Sequence, residues 1–135
     1  MTTKNPKAIN MLLCEDIRQE TGNKVSILGV YPDGLVFQTN KSTETIKLAI
    51  PQLAVYATFE PLTTDMSIKI RLLGPTGLQI YETPPGALPK SKGITIVAFK
   101  MVGIEFKETG NHKVEFYFND HKTTFTFSVS HVFID

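Results

Sequence analysis

The residues of this 135-residue chain whose types could support chemistry are few, and the densest group is Glu15, Asp16, Arg18, Glu20 and Lys24. If residues 9–18 are extended, Asp16 and Arg18 project to the same face, because side chains alternate along a strand. A reversal at Thr21–Asn23 then brings Lys24 back near Glu20. Such a cluster is either a polar recognition patch or a ladder of cross-strand ion pairs, each worth ~0.2–1 kcal/mol, that sets register. The ladder is the preferred reading, since surface charge ordinarily serves solubility and register. Cys14 precedes two carboxylates that hold its pKa up, whereas a thiol nucleophile needs a nearby base and an electropositive setting. It reads instead as a small core residue following Leu12 and Leu13.

The three histidines, His112, His121 and His131, are expected in loops near strand ends, and none has the Cys-x-x-Cys or His-x-x-x-His spacing that zinc requires. Asp33, Asp65, Asp120 and Asp135 are scattered singly, so no calcium loop is expected. The stretch GPTGLQ lacks the Gly-Lys-Ser/Thr ending of a phosphate loop. No set of nucleophile, base and oxyanion donors assembles, so the expectation is a non-enzymatic protein without metal or cofactor. Tyr81 and Tyr117, on outward positions, are the residues that a sugar-binding face would use. The longest stretch without strand character is Glu82–Gly93, ETPPGALPKSKG. Loops on a rigid sheet concentrate binding, which makes Pro84, Pro85, Lys90 and Lys92 a candidate partner loop, with a crossover between sheets as the equal alternative.

Fourteen Lys and Arg against thirteen Asp and Glu give a net charge of +1, which offers no support for a nucleic-acid partner. The length suits one hydrophobic core and one domain spanning 1–135. A single cysteine fits a reducing compartment, and the apolar run before Glu15 is too short for a signal peptide. No apolar run approaches the ~20 residues of a membrane helix, so the expected location is the cytoplasm.

The elements that must position these residues are strands. Met66, Ile68, Ile70 and Leu72 alternate with Ser67, Lys69 and Arg71. The same period of two runs through Ile46, Leu48, Ile50 against Thr45, Lys47 and Ala49, and through Leu53, Val55, Ala57, Phe59 with Tyr56 and Thr58 outward. It returns as Val114, Phe116, Phe118 and as Phe125, Phe127, Val129. Turn residues fall between, as TGN at 21–23 and again at 109–111, PDG at 32–34, GPTG at 74–77 and NDHK at 119–122. Short strands with one apolar face predict an all-β, two-layer antiparallel sandwich with Greek-key connections, a partly closed barrel being the nearest competitor. The doubled ETGN is read as convergence on turn chemistry: Gly22 and Gly110 suit the left-handed position of a tight hairpin or a sheet-to-sheet corner.

The opening CEDIRQETGNKVSILGVYPDG resembles that of a family of small, uncharacterised bacterial and phage-associated β-sandwich domains, on Cys14, Glu15, Asp16, Arg18, Glu20, Gly22, Lys24, Gly29, Val30 and Tyr31. The stretch EFKETGNHKVEFYFNDHKTTFTFSV is similar to the last strands of immunoglobulin-like or C2-like sandwiches. The resemblance implies a sandwich fold and a bacterial or prophage origin, and the family has no established activity to carry across. The function expected is a binding or assembly module for a protein partner; the alternative is a small-ligand, sugar or surface-binding domain, and a hydrolase is a distant third. Val132, Phe133 and Ile134 near the chain end either continue the last strand or meet another subunit, so a homo-oligomer through a sheet edge or this tail is expected.

Overall fold

The computed structural model describes residues 5–41 and 46–134; Thr45 of the second alternating run and Asp135 lie outside them. Ten strands and no helix are formed by the described residues. In chain order they are β1 (Ala8–Glu20), β2 (Lys24–Val30), β3 (Leu35–Asn40), β4 (Leu48–Phe59) and β5 (Met66–Leu73), then β6 (Gln79–Glu82), β7 (Gly86–Leu88), β8 (Thr95–Phe106), β9 (Gly110–Phe118) and β10 (His121–Ile134). One sheet has the order β2-β1-β4-β8, and the other β3-β10-β9-β5-β6 with β7 also on β5. The two layers pack as a sandwich, as the period of two requires.

The sheets join through the alternating rows. Leu53, Val55, Ala57 and Phe59 of β4 are wholly buried and face Val114, Phe116 and Phe118 of β9. Phe59 lies edge-on to Phe118 at 4.7 Å, to Phe116 at 5.3 Å and to Phe125 at 6.4 Å. T-shaped contacts of this kind add ~0.5–1.5 kcal/mol each beyond the area they bury. Pro51, unable to donate to a ladder, is tolerated inside β4 because pairing with β1 ends at Cys14–Ala54, beyond its reach.

The two TGN turns serve different connections. Gly22 (φ 79°) and Asn23 (φ 57°) close the β1–β2 hairpin, whereas Gly110 (φ 120°) opens β9 where the chain passes from one sheet to the other. Gly34 has a stricter requirement, since its φ is +100° and a Cβ would lie 2.3 Å from the Ser128 carbonyl oxygen. That close approach lets the chain leave β2 and cross beside β10 to form β3.

Three expectations are corrected. The pair β3–β10 is parallel, with Val129 opposite Leu35 and Ile134 opposite Asn40. No hairpin joins these strands, since β4–β9 intervene, and a connection that long can return the chain in the same direction. The tail Val132–Ile134 thereby continues β10, although it stays half exposed. The segment Glu82–Gly93 is not strandless: Gly86, Ala87 and Leu88 pair with Ile68, Ser67 and Met66. The third correction is β8, twelve residues long and absent from the alternating runs, because Ile96, Ala98 and Val102 are apolar on the face opposite Val97, Phe99 and Met101.

Replacing Phe59 by Ala is expected to cost about 3–5 kcal/mol, as for other buried aromatic truncations. Urea unfolding of the variant measures it. Removing the chain after Val129 deletes the β3 partners Ser130–Ile134 and is expected to lower the midpoint as well.

Candidate functional site

Asp16 collects the polar cluster predicted near the N-terminus. Its carboxylate accepts hydrogen bonds from Lys100 Nζ at 2.9 Å, Gln52 Nε2 at 3.0 Å, Arg18 Nε at 3.3 Å and its neighbour's backbone, Ile17 N, at 2.9 Å. Lys100 above all, then Arg18 and the Ile17 amide, hold the Asp16 carboxyl at about 2, well below the usual carboxylate range. Glu15 lines the adjoining hollow with Arg18, while Glu20 and Lys24 sit apart, opposite one another at the hairpin end. Gln52 and Lys100 belong to β4 and β8 and were invisible from the local sequence.

The cluster marks a bend in β1. Cys14 and Ile17 are three residues apart, yet both pack in one small apolar cluster with Ala54, Val25, Ile27 and Tyr56. In a regular strand they would face opposite ways. The register with β2 does not slip across this stretch, so the strand itself turns. Opposite the bend, Gly29 (φ +64°) has no Cβ, which would lie 2.6 Å from Glu15 Oε2. Gln52 Nε2 also donates to Glu15 O at 3.0 Å, replacing ladder bonds that β4 no longer supplies. The polar group is thus a brace for the bend. Cys14 is wholly buried, with its Sγ 3.7 Å from Ala54 O; burial, then the Asp16 charge, push its thiol up.

The outer face of the second sheet carries a further ion lattice that the linear sequence did not reveal. Glu115, almost wholly buried, meets Lys122 at 3.2 Å and Arg71 at 3.6 Å and accepts from Tyr117 Oη at 3.1 Å. Arg71 reaches Gln79 at 2.9 Å, and Lys69 pairs with Glu82 at 3.4 Å. The Tyr117 ring already has the Lys69 ammonium 5.0 Å from its centroid, and Tyr81 packs against the core. The two tyrosines named for a sugar platform are therefore engaged within the protein.

The histidines are not loop residues. His112 is fully buried in β9, stacked 5.6 Å from Phe127 and edge-on to Phe106 at 5.1 Å. Its Nδ1 lies 3.0 Å from the Gly110 carbonyl, which can only accept, so Nδ1 donates and Nε2 is left without a partner. His131 lies within β10, 2.6 Å from Thr39 Oγ1, and His121 opens that strand at the surface. Among the described residues no group of three or more His, Cys, Asp or Glu is placed to hold a metal ion.

The proline-rich segment frames an open end of the sandwich. Pro85, Leu88 and Pro89 border a trough of about 580 Å³ with Asp65, Met66 and Ser67. A second hollow of about 470 Å³ is bordered by Pro61, Leu62 and Thr63 with Lys90, Ser91 and Lys92. Lys90 N donates to Asp65 Oδ1 at 2.9 Å and Ser91 N to Leu62 O at 3.1 Å, pinning residues 89–92 against 61–66. Both functional and connecting readings meet here: the segment crosses from β7 to β8 and walls two hollows. Of its four candidate residues, Pro85, Lys90 and Lys92 line them and Pro84 does not.

No family model matches the chain, and no curated protein matches it. Among solved structures it is similar to the C-terminal domain of wzt, with a TM-score of 0.47 and 12% identity over 95% of this chain and 75% of that one. It is also similar to part of a β-glucosidase from Listeria innocua, with a TM-score of 0.40 and 10% identity over 93% of this chain. The chain spans only 16% of that enzyme. Neither likeness carries an argument about the site.

The Asp16 brace sets a pH dependence. A carboxyl whose folded pKa is about 2 contributes stability that is complete above its ordinary value and lost as pH falls toward 2. Asp16→Asn is expected to be less stable than the parent at pH about 6, with the gap closing near pH 2. Thermal melts of both proteins across that range measure it.

Proposed function

We propose that this protein is a non-catalytic binding module that engages a protein partner through the end of the sandwich walled by Pro85–Lys92. The observation that carries the reading is the pair of hollows walled by this one segment, the first apolar along Met66, Leu88 and Pro89 and the second lined by Lys90 and Lys92. Apolar lining supplies area, and the flanking ammonium groups favour an acidic segment and speed its approach. Two prolines, Pro85 and Pro89, and hydrogen bonds from the Lys90 and Ser91 amides already order the segment, which lowers the entropy lost on engagement. The buried free thiol of Cys14 suits a reducing compartment, so the partner is sought in the cytoplasm.

The double variant Lys90→Glu, Lys92→Glu is expected to keep the fold and to retain about tenfold less partner in capture from native lysate. Capture equal to that of the parent would remove this site. A metabolite that raises the melting temperature, with no captured protein, would replace the reading by small-ligand binding.

A further inference from the structure

We infer that β8 is built to lie inside a sheet, and that its missing neighbour is the β8 strand of a second copy of this chain. The inference is independent of the Pro85–Lys92 site. A strand apolar on both faces lacks the polar outer face that an edge strand in water ordinarily shows. The run Ile94–Ile104 has that pattern, interrupted by Thr95, Lys100 and Gly103 alone. Yet β8 ends the order β2-β1-β4-β8, with β4 as its only sheet neighbour among the described residues. Ile96 and Val102, on the face of β8 away from the core, are 49% and 76% exposed, and Ile94 just before the strand is 58% exposed.

The strand's own sequence argues for a copy of itself. An antiparallel pair about a two-fold axis at Phe99 places Phe99 beside Phe99, Val97 beside Met101 and Ile96 beside Val102. Three of the four pairs over Ile96–Val102 are apolar, on both faces. Lys100 meets Ala98 and so avoids its own counterpart. Gly103, with φ +65°, switches the inward face of the strand from Met101 to Ile104, so the alternation the pair relies on runs over Ile96–Val102. Lys100 is also the partner of Asp16, so the bend brace borders this interface without spanning it.

Sedimentation velocity over roughly 1–100 µM tests the assignment. The parent is expected to pass from monomer to dimer, and Ile96→Lys with Val102→Lys to weaken dimerisation by about a hundredfold, with an unchanged circular dichroism spectrum. Since residue 96 faces residue 102 of the other copy, mixing this variant with Ile96→Glu, Val102→Glu is expected to restore a mixed dimer. A parent that stays monomeric throughout the range, a lysine variant that dimerises like the parent, or a mixture that fails to pair would each overturn the inference.

Discussion

Everything in this fold depends on Phe59 and its neighbours finding a second layer. A strand with one apolar face cannot bury it alone, and β4 presents four wholly buried side chains in a row. Phe59 closes that row against Phe116, Phe118 and Phe125 from two strands of the facing sheet. The same demand draws Phe106 and Phe127 around His112 at the other end of the core. The buried histidine is a cost of that arrangement, because its Nε2 lies among aromatic rings with no partner. The donation to Gly110 O offsets part of the cost and fixes the corner at which β9 begins.

Strands with one wet face were legible in the sequence, because water and core leave their signature at alternate positions. The rows on β4, β5, β9 and β10 could be read directly. What escaped was whatever lacks that contrast. β8 is apolar on both faces, β7 is three residues held by β5, and β3 owes its place to a parallel partner ninety-four residues further along at Leu35–Val129. Turn chemistry was legible at Gly22 and Gly110, but the type of connection each makes was not, since that depends on which sheet receives the next strand.

The site followed the same division. Asp16 and Arg18 could be placed together from spacing, and they do meet. Lys100 and Gln52 come from strands far along the chain, and it is they that turn a surface pair into a brace. Glu115 shows the converse. By alternation it should face water like Lys113, yet Lys122, Arg71 and Tyr117 cover it until it is almost wholly buried. A polar residue on a strand is therefore hidden or wet according to its cross-strand neighbours, which a local pattern does not contain.

Sheet edges explain why β8 stands apart. The edge of the second sheet at β6 and β7 is broken by Pro84 and Pro85, which supply no donor to a passing strand. The edge at β2 is turned by Gly29, whose positive φ interrupts an extended row of main-chain groups. β3 is only six residues long. β8 has twelve residues, no proline and a single lysine between Thr95 and Ile104. Its protections are Lys100 and the turn at Gly103, and a row apolar on both faces favours a cover made of the same chemistry. The sandwich is complete through its core, whereas β8 ends the first sheet with β4 as its one sheet neighbour among the described residues, and the proposed β8–β8 pair would extend that sheet.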